Sequence, residues 1–146
     1  MNKLFKSAPP VRKVMTPFPY AVERSAQLGE ARRLMLEHDV HHLPVVEGHA
    51  LVGVISDRDI KLFLGPELGS PDPREAVVAD AYQSEAYAVE LDTPIDTVAR
   101  EMLRRRIGSA LVTRNGKLAG LFTVTDACRF IADLYDLGEP LPDEVA

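Results

Sequence analysis

The sequence predicts an α/β (α+β) fold in which two pseudo-symmetric β-α-β-β-α repeats pack as one module. Three observations predict it. The chain matches itself without a gap at a shift of 67 residues. Within each copy, apolar positions recur first at helical spacing and then in two short runs joined by a turn. Each second run ends on one pattern, GVISDRD at 53–59 and GLFTVTD at 120–126: glycine, two apolar residues, a hydroxyl, two further residues, aspartate.

The register of the repeat is dense. Tyr20-Ala21-Val22-Glu23 falls on Tyr87-Ala88-Val89-Glu90, and Leu28, Ala31 and Met35 fall on Ile95, Val98 and Met102. Val45 falls on Val112, Gly53 on Gly120, Asp59 on Asp126 and Phe63 on Phe130. Self-similarity at a fixed period means two copies of one supersecondary unit. Two copies alone favour a pair packed face to face over an open array.

Each copy starts with an extended arm, VRKVMTPFPYAV in the first, whose prolines exclude a central strand. An amphipathic helix follows, over Ala26 to His38 and over Ile95 to Arg105. In the second copy Thr93 is the candidate N-cap, Pro94 takes the first helical position and Asp96 falls in the first turn. Two short strands come next. LPVV and LVGVIS flank Glu47-Gly48-His49-Ala50, and ALVT and LAGLFT flank Arg114-Asn115-Gly116-Lys117. Asn-Gly between apolar runs is a strong hairpin signal. A last helix closes each copy, DRDIKLFL or TDACRFIADLYDL. The expected organisation is repeat 1 over 11–64, a linker rich in proline, glycine and charge over 65–77, repeat 2 over 78–137, and a fraying tail over 138–146.

With 146 residues, 46% of them hydrophobic and 27% charged, the chain suits one compact module. A net charge of −5 argues against nucleic acid as a partner. No apolar run is long enough to span a membrane. The single cysteine, Cys128, cannot form an internal disulfide, and no signal-like segment opens the chain; both point to a cytoplasmic setting.

The repeated motif has a purely structural reading. A hydroxyl followed three residues later by a carboxylate, at the start of a helix, is a capping box. Three features add a functional one. The motif occurs in both copies. It lies where a strand ends and a helix begins, so that free N–H groups and the helix dipole favour anions. Arg58, in the same turn, adds a fork for phosphate. An aspartate beside hydroxyls and N–H groups suits a sugar diol plus phosphate.

Through VRKVMTP, HHLPVVEGHALVGVISDRDI and GSALVTRNGKLAGLFTVTDA the chain resembles a tandem pair of cystathionine-β-synthase (CBS) domains over about Val11 to Leu134. In this family such pairs bind adenosine-containing ligands. The resemblance implies two clefts between the copies. In one, Asp59 holds the ribose, Ser56 and Arg58 meet phosphate, and Thr16 with His41-His42-Leu43-Pro44 frames the base. In the other, Asp126 holds the ribose, Thr123 and Thr125 meet phosphate, and Gln83 with Gly108-Ser109-Ala110 frames the base. The second copy departs from the pattern: VADAYQS replaces the arm carrying Met-Thr-Pro, and Thr125 replaces the arginine.

Other features have plainer readings. His38, His41 and His42 straddle a helix end and lack a second ligand pair, so no metal is expected. Arg104-Arg105-Arg106 complements a helix C-terminus, or sends one arginine to a phosphate across the cleft. Cys128 is expected to be a buried thiol, and Tyr20 and Tyr87 to be equivalent packing residues. No nucleophile elbow, phosphate loop or metal pattern is present, so no catalysis is expected. The expected function is a regulatory module that senses AMP, ADP, ATP or S-adenosylmethionine and needs no cofactor. It would act on a separate protein target and pair into a flat homodimer. The alternative is a ligand-free structural or interaction module in which the two motifs only cap helices.

Overall fold

The computed structural model describes residues 7–65 and 75–137. Part of the expected linker and the whole of the expected tail lie outside these residues. In the first repeat β2 (Val22–Glu23), α1 (Leu28–His38), β3 (His42–Glu47), β4 (Ala50–Ser56) and α2 (Asp57–Leu64) follow β1 (Thr16–Pro17). In the second, β5 (Ala88–Glu90), α3 (Ile95–Arg105), β6 (Ser109–Arg114), β7 (Lys117–Thr123) and α4 (Val124–Leu137) repeat the order. The shift of 67 maps α1 onto α3 and β3 onto β6 end to end, and each arm carries a one-turn 3-10 helix, Val11–Lys13 or Val78–Asp80.

Even the irregularities repeat. A bulge falls between Val45 and Val46 and again between Val112 and Thr113. Asp39 and Arg106 both end a helix in the left-handed conformation. Asn115 and Gly116 both have positive φ, which suits the tight hairpin their sequence signals.

Two sheets form, in the orders β1-β7-β6-β5 and β2-β3-β4. Their membership shows that the arms cross. Strand β1, from the first arm, pairs antiparallel with β7 of the second repeat, Thr16 opposite Leu121. Gln83, from the second arm, bridges to Val54 on β4 of the first. The cores agree. Ala76 and Val78 pack with Leu28, Leu43, Val45 and Ile55 in one cluster. Val11 packs with Val98, Val112 and Phe122 in the other. Val11 and Val78 are fully buried, and burying a valine contributes about 1.5–3 kcal/mol. Each repeat is thus completed by the arm of its twin.

The crossed arms also account for two departures at the helix starts. Thr93 is not an N-cap: Pro94 holds that position, and no side chain caps α3. Helix α1 starts at Leu28 rather than at Ala26. In both cases backbone carbonyls of the opposite arm take the leading N–H groups. Ile95 N–H donates to Pro9 and Leu28 N–H to Ala76, at 3.0 and 2.9 Å. Orphan helix donors need a partner, not a side-chain partner.

Candidate functional site

Two cavities, of 640 and 520 Å³, open between the repeats. Each combines the motif of one repeat with the arm and leading strand residues of the other. The larger joins Thr123, Thr125 and Asp126 to Thr16, His41 and His42. The smaller joins Ser56, Arg58 and Asp59 to Gln83, Gly108 and Ser109. This corrects the expected grouping, in which Thr16 and the histidines accompany Asp59, and Gln83 and Gly108 accompany Asp126. The exchange follows from the crossed arms. Pro44 and Ala110 are fully buried and line neither cavity; their side chains belong to the core.

Both capping boxes are formed. Ser56 N–H donates to Asp59 Oδ2 at 2.9 Å, and Asp59 N–H to Ser56 Oγ at 3.0 Å. Thr123 N–H donates to Asp126 Oδ2 at 2.9 Å, and Asp126 N–H to Thr123 Oγ1 at 3.3 Å. Each aspartate also receives a side chain from the opposite arm, at positions related by the repeat. Gln83 Nε2 donates to Asp59 Oδ1 at 3.1 Å, and Thr16 Oγ1 to Asp126 Oδ1 at 2.9 Å.

The motif glycines hold the arms close. A Cβ on Gly53 would drive into the Gln83 carbonyl and lie 2.8 Å from the Tyr82 ring; a Cβ on Gly120 would meet the Met15 thioether. His42 and Gly108 line both cavities, the imidazole lying against the Gly108 backbone. Burial pushes the His42 pKa below its ordinary value, so the ring is neutral near pH 7.

Several cavity residues do more than their sequence reading assigns. In the larger cavity Tyr20 stacks on His38, with centroids 3.6 Å apart and planes 12° from parallel. In the smaller, Arg105 lies over Tyr87 at 4.8 Å. The repeat that pairs Tyr20 with Tyr87 also pairs their partners, His38 with Arg105. Arg129, whose Nη1 is 3.0 Å from Asp126 Oδ1, stands where the first repeat has Leu62, and no repeat signal marks it.

The arginine run divides. Arg104 and Arg105 pair with Glu101 on the helix surface, while Arg105 and Arg106 line the smaller cavity. The three histidines part ways, His38 to Tyr20, His41 to within 3.3 Å of Asp57, and His42 to Gly108. Cys128 is exposed, contrary to expectation. Asp126, Ala127, Phe130 and Leu134 take the inward positions of α4, and Cys128 falls off that face.

Comparison with known proteins agrees with this architecture. A Vibrio cholerae protein described as an acetoin utilization protein, AcuB, superposes with a TM-score of 0.78 at 25% identity, covering 92% of this chain and all of that one. CBSX2, solved in complex with AMP, superposes at 0.72 with 27% identity over 86% and 98% of the two chains. The CBS domain of a bacterial CNNM/CorC family Mg2+ transporter, solved in complex with ATP, superposes at 0.72 with 29% identity over 85% and 87%. The chain spans 65%, 34% and 22% of the length of the first three curated relatives it matches. The CBS domain profile matches residues 11–65 and again 78–133. With most of its length in those two matches, the chain belongs to the CBS domain family.

Proposed function

We propose that this protein is a regulatory, non-catalytic module that binds an adenine nucleotide or related adenosyl compound between its two repeats. The observation that carries the reading is the crossed construction of each cavity. A strand-end aspartate and helix-start N–H groups come from one repeat, and the closing arm from the other. A ligand seated there touches both repeats and favours the packing in which both sets of contacts exist. Asp59 or Asp126 would accept the ribose hydroxyls, and the capping hydroxyls and helix N–H groups would meet phosphate. The AMP and ATP complexes of CBSX2 and of the transporter domain support the ligand class.

The change in packing would be read by a separate protein in the cytoplasm. Exposed apolar positions on the helices, Leu36, Leu103, Ile131 and Tyr135, would pair two copies into a flat homodimer. Among the described residues no helix is long and apolar enough to cross a membrane. The second reading, a ligand-free docking module, draws on the two capping boxes, which serve α2 and α4 without any ligand.

Thermal unfolding with millimolar AMP, ADP, ATP and S-adenosylmethionine separates the two. A ligand that binds only the folded state stabilises by about 2.7 kcal/mol at a hundredfold excess over its Kd. The expected outcome is a raised midpoint with at least one compound. No shift with any of the four would leave the docking reading.

A further inference from the structure

We infer that the two cavities take different classes of adenosyl ligand: the Asp59 cavity one that carries phosphate, the Asp126 cavity one whose 5′ substituent carries none. The inference rests on the adenosyl-binding reading and assigns a class to each half of it. The repeat allows comparison position by position. Arg58, in the first turn of α2, stands where the other cavity has Thr125. Arg105 and Arg106, at the end of α3, stand where it has His38 and Asp39. All three guanidinium positions are therefore lost on the other side, one of them to a carboxylate.

Counter-charges balance the Asp59 cavity, with Asp57, Asp59 and Glu85 against three guanidiniums, but leave it the forks that the other cavity lacks. Asp57 and Glu85 also face the Asp59 cavity, but Asp57 Oδ2 lies 3.6 Å from Lys61 Nζ. Arg105 meets Glu101 through Nε. The Asp126 cavity has Arg129, whose charge is matched by Asp126 itself at 3.0 Å, with Asp39 left on the same wall. His42 lines both cavities and adds no charge when neutral. A phosphate carries about −1.5 to −2 near neutral pH and is best held by guanidinium forks. The Asp59 cavity offers those forks. Among the described residues the Asp126 cavity has a single arginine, already paired with Asp126, and ring surface: the Tyr20–His38 stack, and Phe18, which stands 92% exposed at its edge. Aromatic faces suit apolar or cationic substituents.

Calorimetric titration with AMP, adenosine and 5′-methylthioadenosine tests the assignment in the wild type and two exchanges at exposed positions, Arg58→Thr and Thr125→Arg. The expected wild type takes one AMP per chain and, with AMP saturating, one 5′-methylthioadenosine in the other cavity. Arg58→Thr should weaken AMP about tenfold relative to adenosine, and Thr125→Arg should raise the AMP stoichiometry to two. Two AMP per chain in the wild type, both unaffected by Arg58→Thr, overturns the inference. So does competition of AMP and 5′-methylthioadenosine for a single site, although the adenosyl reading then stands. If none of the three binds, that reading falls as well.

Discussion

Asp59 and Asp126 occupy the same position in two copies of one unit, yet their surroundings differ. Asp126 is 2% exposed and receives Thr123 N–H and Oγ1 on one oxygen, Thr16 and Arg129 on the other. Asp59 is half-buried and receives Ser56 N–H on one oxygen and Gln83 on the other. A carboxylate has about four acceptor positions. Among the described residues Asp59 therefore keeps free capacity for a diol, whereas at Asp126 a ribose must displace Thr16 or Arg129. The cap is common to both; what each aspartate can still accept is set by residues outside the motif.

The most direct way to break this comparison is to remove each carboxylate. Asp126→Ala takes away a cap and the shared partner of Thr16, Thr123 and Arg129; Arg129 is 61% exposed and loses little, so the cap and the part-buried Thr16 hydrogen bond set the cost at about 2 kcal/mol. Asp59→Ala loses a cap and one amide contact, about 1 kcal/mol. Urea unfolding of the two variants should separate them clearly. Equal losses would mean that the extra donors around Asp126 add nothing to the cap.

The motif glycines give a second contrast. Gly53→Ala sets a methyl against the backbone carbonyl of Gln83, and the bridge between Gln83 and Val54 must open to make room. Gly120→Ala meets first the Met15 side chain, which is flexible and can move aside. We expect about 3 kcal/mol for the first and about 1 kcal/mol for the second, within the range for overpacked sites. Thermal midpoints give the order directly, and a costlier Gly120→Ala would show that Met15 is as rigid as the backbone.

Much of this was legible in the sequence because the repeat is gapless. Helix α3 occupies the stretch its apolar spacing marks, and Asn115-Gly116 makes the hairpin its residues require. The crossing of the arms was not legible. Val11 and Val78 are equivalent apolar residues that fit either core, and only tertiary packing decides which repeat each completes. For the same reason sequence alone does not tell which aspartate Thr16 or Gln83 reaches. At the start of α3, backbone from a distant segment does the work that local sequence assigns to the Thr93 hydroxyl. Cys128 differs in kind: the period of α4 places it outside, and that period outweighs the preference of cysteine for burial.

The smallest expected effect lies at the edge of the Asp59 cavity. Glu101 pairs with Arg104 and Arg105, and those hydrogen bonds hold its carboxyl at about 2, well below the ordinary 4.5. The other repeat has Leu34 at this position, so among the described residues α1 offers His38 no such tether. Because the folded pKa is depressed, the contribution of Glu101 is present above about pH 4.5 and is lost as pH falls through about 2. The ion pairs are exposed and screened, so Glu101→Gln should lower the thermal midpoint only slightly at neutral pH. The gap between wild type and variant should close towards pH 2 and shrink in high salt. A gap that persists at pH 2 would assign the effect of Glu101 to packing against Tyr87 and Arg105 rather than to its charge.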